Sequence, residues 1–342
     1  MGNVLTKGMI EHLNNSSPVA QLTGLGSRLD EGLMLSPLIW PGTTYYVDTT
    51  LSNDVGNDGK TFGEAFKTIQ KAVDVVSDHD IIFVRGDIAE AVVTPALAGG
   101  VGAMYVKIIG VQAMGIPFEN EWASGGVIDS NTSPCLILRS VGWHIEGFKF
   151  IVPDSAEAIR SLALNGDDLV YDGGSDNWAY RSKIIRNQFY GATGGKWGQC
   201  GIRLYGAEHE MEISGNYFSF IHQANNSGKC IHLYSSNFAV PYRHRLFGNI
   251  FLESDAQICF GRGANACLFI DNIFQGTGKT AYNNKPKLDL GSIGGGIGNI
   301  VAKNIMGGTF TAAAAEYIPA GASDDWRGNY TSQAGISKDV PQ

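Results

Sequence analysis

The stretch ISGNYFSF, residues 213–220, places a glycine and an asparagine, Gly215 and Asn216, just ahead of a large apolar residue, Phe218. The same unit returns as Asn187-Gln188-Phe189, Asn249-Ile250-Phe251, Asn272-Ile273-Phe274 and Asn299-Ile300-Val301, with Asn329-Tyr330 as a sixth candidate. Neighbouring copies stand 23 to 33 residues apart. A unit recurring in this range marks a solenoid, in which each turn of chain stacks on the one before. The uneven spacing suits a β-solenoid that keeps its strands and varies its loops. Leucine-rich and ankyrin repeats hold stricter lengths and contain helices.

Physical reasons favour asparagine and phenylalanine in such a unit. Each coil must turn sharply between strands, and Asn tolerates left-handed backbone better than most residues with a Cβ. Its amide can bond the backbone or a stacked Asn one coil away. The residue two places on points to the same side of the strand and enters the core, where each Phe meets the Phe of the next coil. Gly215, Gly248 and Gly298 precede their asparagines and ease the bend. This structural role outweighs a ligand-binding one for the repeated asparagines. Outside the repeat, "YVKIIGV", "PCLILRS", "SKIIRNQFY", "KCIHLYSS" and "QICFGRG" are further short apolar runs bounded by turn residues. Many short strands without intervening helices make an all-β architecture.

Composition agrees. The 342 residues include 45 glycines, 17% are charged, and the formal net charge is −8. An acidic chain is a poor general binder of nucleic acid, which needs an excess of Lys and Arg. No apolar run is long enough to cross a membrane. The N-terminus "MGNVLTKGMIEHLNN" lacks the layout of a signal peptide, so synthesis in a host cytoplasm is expected. The five cysteines form no CxxC and mostly adjoin apolar residues, which makes them small core residues rather than a disulfide frame. Residues 1–42 are rich in turn formers and cannot bury a core alone. They read as an extended arm ahead of a domain at 43–330, with a short tail at 331–342.

From residue 45 the text runs "YYVDTTLSNDVGNDGKTFGEAFKTIQKAVDVVSDHDIIFVRG". Phe66, Ile69, Ala72, Val73 and Val76 recur at helical spacing, and Ile81–Val84 form a buried strand. This order of Y-V-D, an Asp/Asn/Gly loop, F-K-T-I-Q-x-A-V-D and D-x-I-x-V-x-x-G resembles the opening of right-handed parallel β-helix proteins of the pectin-lyase-like superfamily. The resemblance implies that the short helix caps the first coil. The turn after the first buried strand is Arg85-Gly86-Asp87-Ile88, where many members have Pro-Gly-x-Tyr.

Enzymes of this superfamily carry their catalytic groups on one exposed sheet face. The lyase-like patterns W-x-D-H and R-x-P-x-x-R are absent, and the polygalacturonase-like set is represented only by Asp167-Asp168. The catalytic candidates are Asp167, Asp168 and Asp172, since glycoside hydrolysis needs paired carboxyl groups. Tyr171, Trp178 and Tyr180 in the same stretch could stack on sugar rings. Glu208, His209 and Glu210 form a second cluster suited to proton transfer, and His222 and His232 flank "QANNSGKC". Asp48, Asp54 and Asp58 lie in an oxygen-rich loop that could take calcium, although the spacing is not that of an EF-hand. No other cofactor is expected, and for all these groups a solvated turn is the simpler reading.

The favoured expectation is a structural protein of a bacteriophage virion: a projecting tailspike, fibre or capsid decoration protein. It would be attached to other virion proteins by its N-terminal arm, trimeric, and able to bind host polysaccharide. The alternatives are a polysaccharide lyase or glycoside hydrolase on the same scaffold, and a surface glycan-binding adhesin.

Overall fold

In the computed structural model the described residues lie between 42 and 337. They exclude 52, 96–102, 112–125, 130–133, 154–155, 162–178, 192–199, 206–208, 222–227, 235–241, 253, 255, 261–262, 276–286, 292–297, 308–316, 319–322 and 332–334. The expected N-terminal arm falls outside them. Thr44–Gln342 forms one compact unit. Among the described residues no helix is long and apolar enough to cross a membrane.

The fold is a right-handed parallel β-helix. Sheet A has ten strands, from Thr44–Asp48 to Asp325–Arg327; sheet B has nine, from Val127–Ile128 to Gly335–Ser337; sheet C has eight, from Val92–Val93 to Tyr317–Ile318. One coil visits each sheet in turn, as in Glu212–Ser214 (A), Tyr217–Ser219 (B) and Lys229–Tyr234 (C), before Arg245–Phe247 returns to A. Right-handed winding is the sense that strand–crossover–parallel strand connections take in nearly all proteins. At about 4.8 Å per strand, sheet A stacks over about 43 Å.

The asparagine ladder runs between sheets A and B. Nδ2 of Asn187 donates to Oδ1 of Asn216 at 3.2 Å, Asn216 to Asn249 at 3.1 Å, and Asn249 to Asn272, Asn272 to Asn304 and Asn304 to Asn329 at 3.0 Å each. Each Oδ1 also accepts a backbone N–H from one coil below, that of the Asn there, as Asn249 does from Asn216, or for Asn187 that of Phe148. All six asparagines are buried. The rings two places on form the expected core stack, with Phe150, Phe189, Phe218, Phe251 and Phe274 at successive centroid distances of 5.0, 4.7, 5.0 and 5.2 Å.

Two details differ from the sequence reading. Asn299 is not on the ladder: it precedes a sheet A strand and donates to Asp324 at 2.7 Å, while Asn304 takes the ladder place. The left-handed residue is also not the asparagine but the one before it: Arg186, Gly215, Gly248, Asp271, Lys303 and Gly328 all have φ between 53° and 64°. The asparagine stays extended enough to reach up and down the stack, and the preceding residue absorbs the bend.

The capping helix α1 spans Ile69–Val73, shorter than the helical spacing of the sequence suggests, because Phe66 instead bridges to Val47 and Val76 lies beyond the helix. Ile69, Ala72 and Val73 are buried at the base of the core. Thr68 caps the Lys71 N–H, and the Glu90 carboxylate accepts the Ile69 N–H at 2.6 Å. At the far end Gly335–Ser337 pairs antiparallel with Asn329–Thr331, so a strand lies within the stretch read as a tail. All five cysteines are buried, and none is in a disulfide.

Candidate functional site

Of the acidic–aromatic stretch, Asp167, Asp168, Tyr171, Asp172 and Trp178 lie outside the described residues. Tyr180 is described, and its ring face lies on His209 at 5.3 Å with an interplanar angle of 11°. His209 in turn meets the edge of Tyr242 at 5.6 Å. Beside them Glu210 pairs with Arg181 at 2.8 Å and Arg243 at 3.5 Å. The hydrogen bond from Arg181 holds the Glu210 carboxyl below its usual range. Glu210 thus ties three turns together and points away from a role beside His209. Glu208 and His222 lie outside the described residues.

The oxygen-rich loop is folded on its own bonds. Asp48 is buried, which raises its carboxyl, but hydrogen bonds from Arg85 and Thr50 outweigh burial and leave it below the usual range. Asp54 accepts the Lys67 N–H at 2.9 Å and pairs with Lys71 at 3.1 Å. Asp58 accepts the Lys60 N–H at 2.8 Å. Among the described residues no group of three or more His, Cys, Asp or Glu is placed to hold a metal ion. The Arg85-Gly86-Asp87 tripeptide is similarly engaged: Arg85 bonds Asp48, and Asp87 accepts the Val127 N–H at 3.0 Å.

The face that gathers chemistry is the outer face of sheet C. Its core-facing column is Ile159, Ile202, Ile231, Ile258 and Leu288, all buried. The next residue on each strand faces the other way, since side chains alternate along a strand. That column reads Arg160, Arg203, His232, Cys259 and Asp289, in register on five successive strands. Glu157, only 2% exposed, receives Arg203 at 2.6 Å and Arg160 at 3.6 Å. One carboxylate therefore pins two guanidinium groups on neighbouring coils. Lys229 stands one strand beyond, in register with Cys200.

Burial shapes the acid–base character of this face. It pushes the Cys200 thiol up to about 12, so the thiol stays protonated and unreactive. It also raises the Asp289 carboxyl. Burial first, and then the charges of Lys229 and Arg203, lower His232 to about 3, so its imidazole is neutral across the physiological range. The unfolded chain takes up a proton on this histidine near its ordinary value of about 6.5, and the folded chain does not until far lower pH. Stability should therefore fall as pH drops below about 6.5, by about 2–3 kcal/mol at about pH 4.5 from this group. Urea unfolding of the wild type and His232→Gln at the two pH values measures it. The variant should lack this share of the acid loss, and an identical pH slope in both proteins would contradict the assignment.

Several roles can be weighed on distance. Glycoside hydrolysis uses carboxyl groups about 5–9.5 Å apart. Glu157 and Asp289 sit on strands four steps apart, about 19 Å at the sheet spacing, so those two do not form such a pair. The face instead offers fixed guanidinium forks, an ammonium group and a neutral imidazole. Apart from His232, none of these residues stood out in the sequence. The signal was a register pattern, since "AIRS", "GIRL", "CIHL" and "QICF" each place a polar or sulfur-bearing residue after the same core isoleucine.

No protein-family model matches the chain, and no curated protein does. Among the solved structures similar to it are the GH136 lacto-N-biosidase from Eubacterium ramulus as a selenomethionine derivative, and the same enzyme as native protein. The first shares 10% identity with a TM-score of 0.37, covering 95% of this chain and 72% of that one. The second shares 8% identity with a TM-score of 0.34, covering 98% and 72%. A likeness this distant carries no argument about activity or substrate.

Proposed function

We propose that this protein is a projecting β-helix of a virus particle that holds an acidic host-surface glycan along the outer face of sheet C. The observation that carries the glycan reading is the in-register rank of Arg160, Arg203 and His232 with Lys229 beside it. The face carries three cations, Arg160, Arg203 and Lys229, against two carboxyl groups, Glu157 and the raised Asp289. Guanidinium forks bind carboxylate and sulfate groups through two parallel hydrogen bonds. A polymer lying along the stack would meet one coil about every 4.8 Å. The particle assignment is supported by the arm at 1–42 and by the missing superfamily catalytic patterns.

Binding of the full chain to acidic and neutral polysaccharides tests the glycan reading. Acidic polymers should bind, and Lys229→Ala and Arg160→Ala should each weaken binding about tenfold, as loss of a charge-assisted hydrogen bond does. Arg203 still holds Glu157 in the Arg160 variant, so the fold survives. Equal binding of neutral polymers, or unchanged affinity in both variants, would contradict the reading. Deleting residues 1–42 should abolish incorporation into particles, and retained incorporation would contradict the attachment role.

A second reading, a polysaccharide lyase, is favoured by the neutral imidazole of His232 beside Arg203. The cation would steady a uronate while the imidazole takes the proton. A pKa of about 3 makes that imidazole a weak base, which ranks cleavage below binding. Release of shortened oligosaccharides in the binding assay would reverse the order.

A further inference from the structure

Sheet A carries a block of charge on three successive coils. Lys183, Glu212 and Arg245 stand in register on the outward side of strands Lys183–Ile185, Glu212–Ser214 and Arg245–Phe247. Two residues earlier, at the left-handed turn into each strand, come Arg181, Glu210 and Arg243. Both columns therefore read cation, carboxylate, cation. Each carboxylate lies between the cations of the coils on either side. Glu210 meets Arg181 at 2.8 Å and Arg243 at 3.5 Å, and Glu212 meets Lys183 at 3.6 Å and Arg245 at 3.8 Å. The pattern stops at both ends. Gly142 and Ala266 take the next places in the turn column, and the buried His144 and Leu268 those in the strand column.

Stability does not account for this block. Exposed ion pairs contribute little, and three of the four contacts are too long to be hydrogen bonds. The four cations are 41–62% exposed, whereas Glu212 is 13% exposed. The carboxylates thus lie low, and the surface presents guanidinium and ammonium groups with donors to spare. Two guanidiniums are also fixed in place: Arg181 donates to the Tyr105 hydroxyl, and Arg243 lies over the Tyr242 ring at 4.6 Å. Spacing then selects the ligand. Arg181 with Lys183, and Arg243 with Arg245, make two anion clamps two coils apart, about 9.6 Å at the sheet spacing. That is close to the length of a disaccharide in an extended chain. Between the clamps the rung of Glu210 and Glu212 repels an anion and accepts hydrogen bonds from hydroxyl groups. A polymer charged on every sugar would set one anion against that rung, which is a cost built against the wrong ligand.

We propose that this block binds an acidic polysaccharide whose charged groups fall on alternate sugars, with the uncharged sugar between them lying over Glu210 and Glu212. It is a second site, shares no residue with the sheet C face and stands or falls apart from it. The full chain carrying Arg160→Ala and Lys229→Ala keeps the two apart in the test, because those changes weaken sheet C alone. Calorimetry of that chain with a hyaluronan hexasaccharide, which has a carboxylate on every second residue, should show binding. Adding Arg243→Ala or Arg245→Ala should each weaken it about tenfold. A polygalacturonate hexasaccharide, charged on every residue, should bind at least about tenfold more weakly than hyaluronan despite its greater charge. Glu210→Gln with Glu212→Gln keeps acceptors on the rung and removes the repulsion, and should reverse that order. Circular dichroism checks that each variant keeps its strands. A merely basic patch would prefer polygalacturonate from the start, and that ranking, which needs no substitution in the block, would overturn the proposal. So would the absence of hyaluronan binding, or unchanged affinity in folded Arg243→Ala and Arg245→Ala chains.

Discussion

Replacing Asn249 with alanine is expected to destabilise the protein by about 4 kcal/mol, seen as a large drop in the urea midpoint. The side chain donates to Ile213 O at 2.9 Å and to Asn272 Oδ1 at 3.0 Å, and it accepts from the backbone N–H and Nδ2 of Asn216 at 3.0 and 3.1 Å. None of these partners can turn to water, because the ladder residues are buried on both sides. Truncation leaves donors and an acceptor orphaned in the core, at about 1–3 kcal/mol for each group, less than additively. It also interrupts a chain of amides that polarise one another. Asn53, whose carbonyl accepts only the exposed Val55 N–H at 2.8 Å, is the control, and alanine there should cost under about 0.5 kcal/mol. A loss below about 1 kcal/mol at Asn249 would mean that the ladder decorates the fold and does not hold it.

Phe218→Ala should cost about 3–5 kcal/mol by the same measurement. The ring is fully buried between Phe189 at 4.7 Å and Phe251 at 5.0 Å. It also reaches across the coil to sheet C, where a Cβ added to Gly201 would lie 3.1 Å from the ring and 2.6 Å from Cys230 O. With strands on three sides the cavity cannot collapse, so the loss should lie near the top of the range for such truncations. Phe218→Leu, which keeps most of the volume, should cost under about 2 kcal/mol. Equal losses for alanine and leucine would show that shape, not filled volume, sets the cost.

The all-β solenoid was legible because its period is written in Asn-x-Phe, and both halves of that unit act as their chemistry suggests. The phase of the repeat was less legible. Asn299 and Asn304 are both asparagines ahead of an apolar residue, and only hydrogen bonding separates the ladder member from the one held by Asp324. Gly215, Gly248 and Gly298 take the left-handed bend as their sequence places suggest, but they mark only part of it. The bend falls on the residue before the asparagine, and at Arg186, Asp271 and Lys303 a non-glycine residue takes the left-handed conformation. The sheet C face was nearly invisible because its members are 27 to 43 residues apart in sequence, with loops of different length between them. Acidic residues drew notice by clustering in sequence, whereas Glu157 acts alone, joined to Arg203 only by the stacking of coils. In the oxygen-rich loop the simpler sequence reading, a turn, matches the carboxylates that close turns and hold Arg85 and Lys71.

The most direct test of the glycan account is a structure of the protein with a bound acidic oligosaccharide. The account predicts sugar lying along the outer face of sheet C, its carboxylate or sulfate groups against Arg160 and Lys229 and a ring beside His232. Sugar bound elsewhere, with those three side chains untouched, would contradict it.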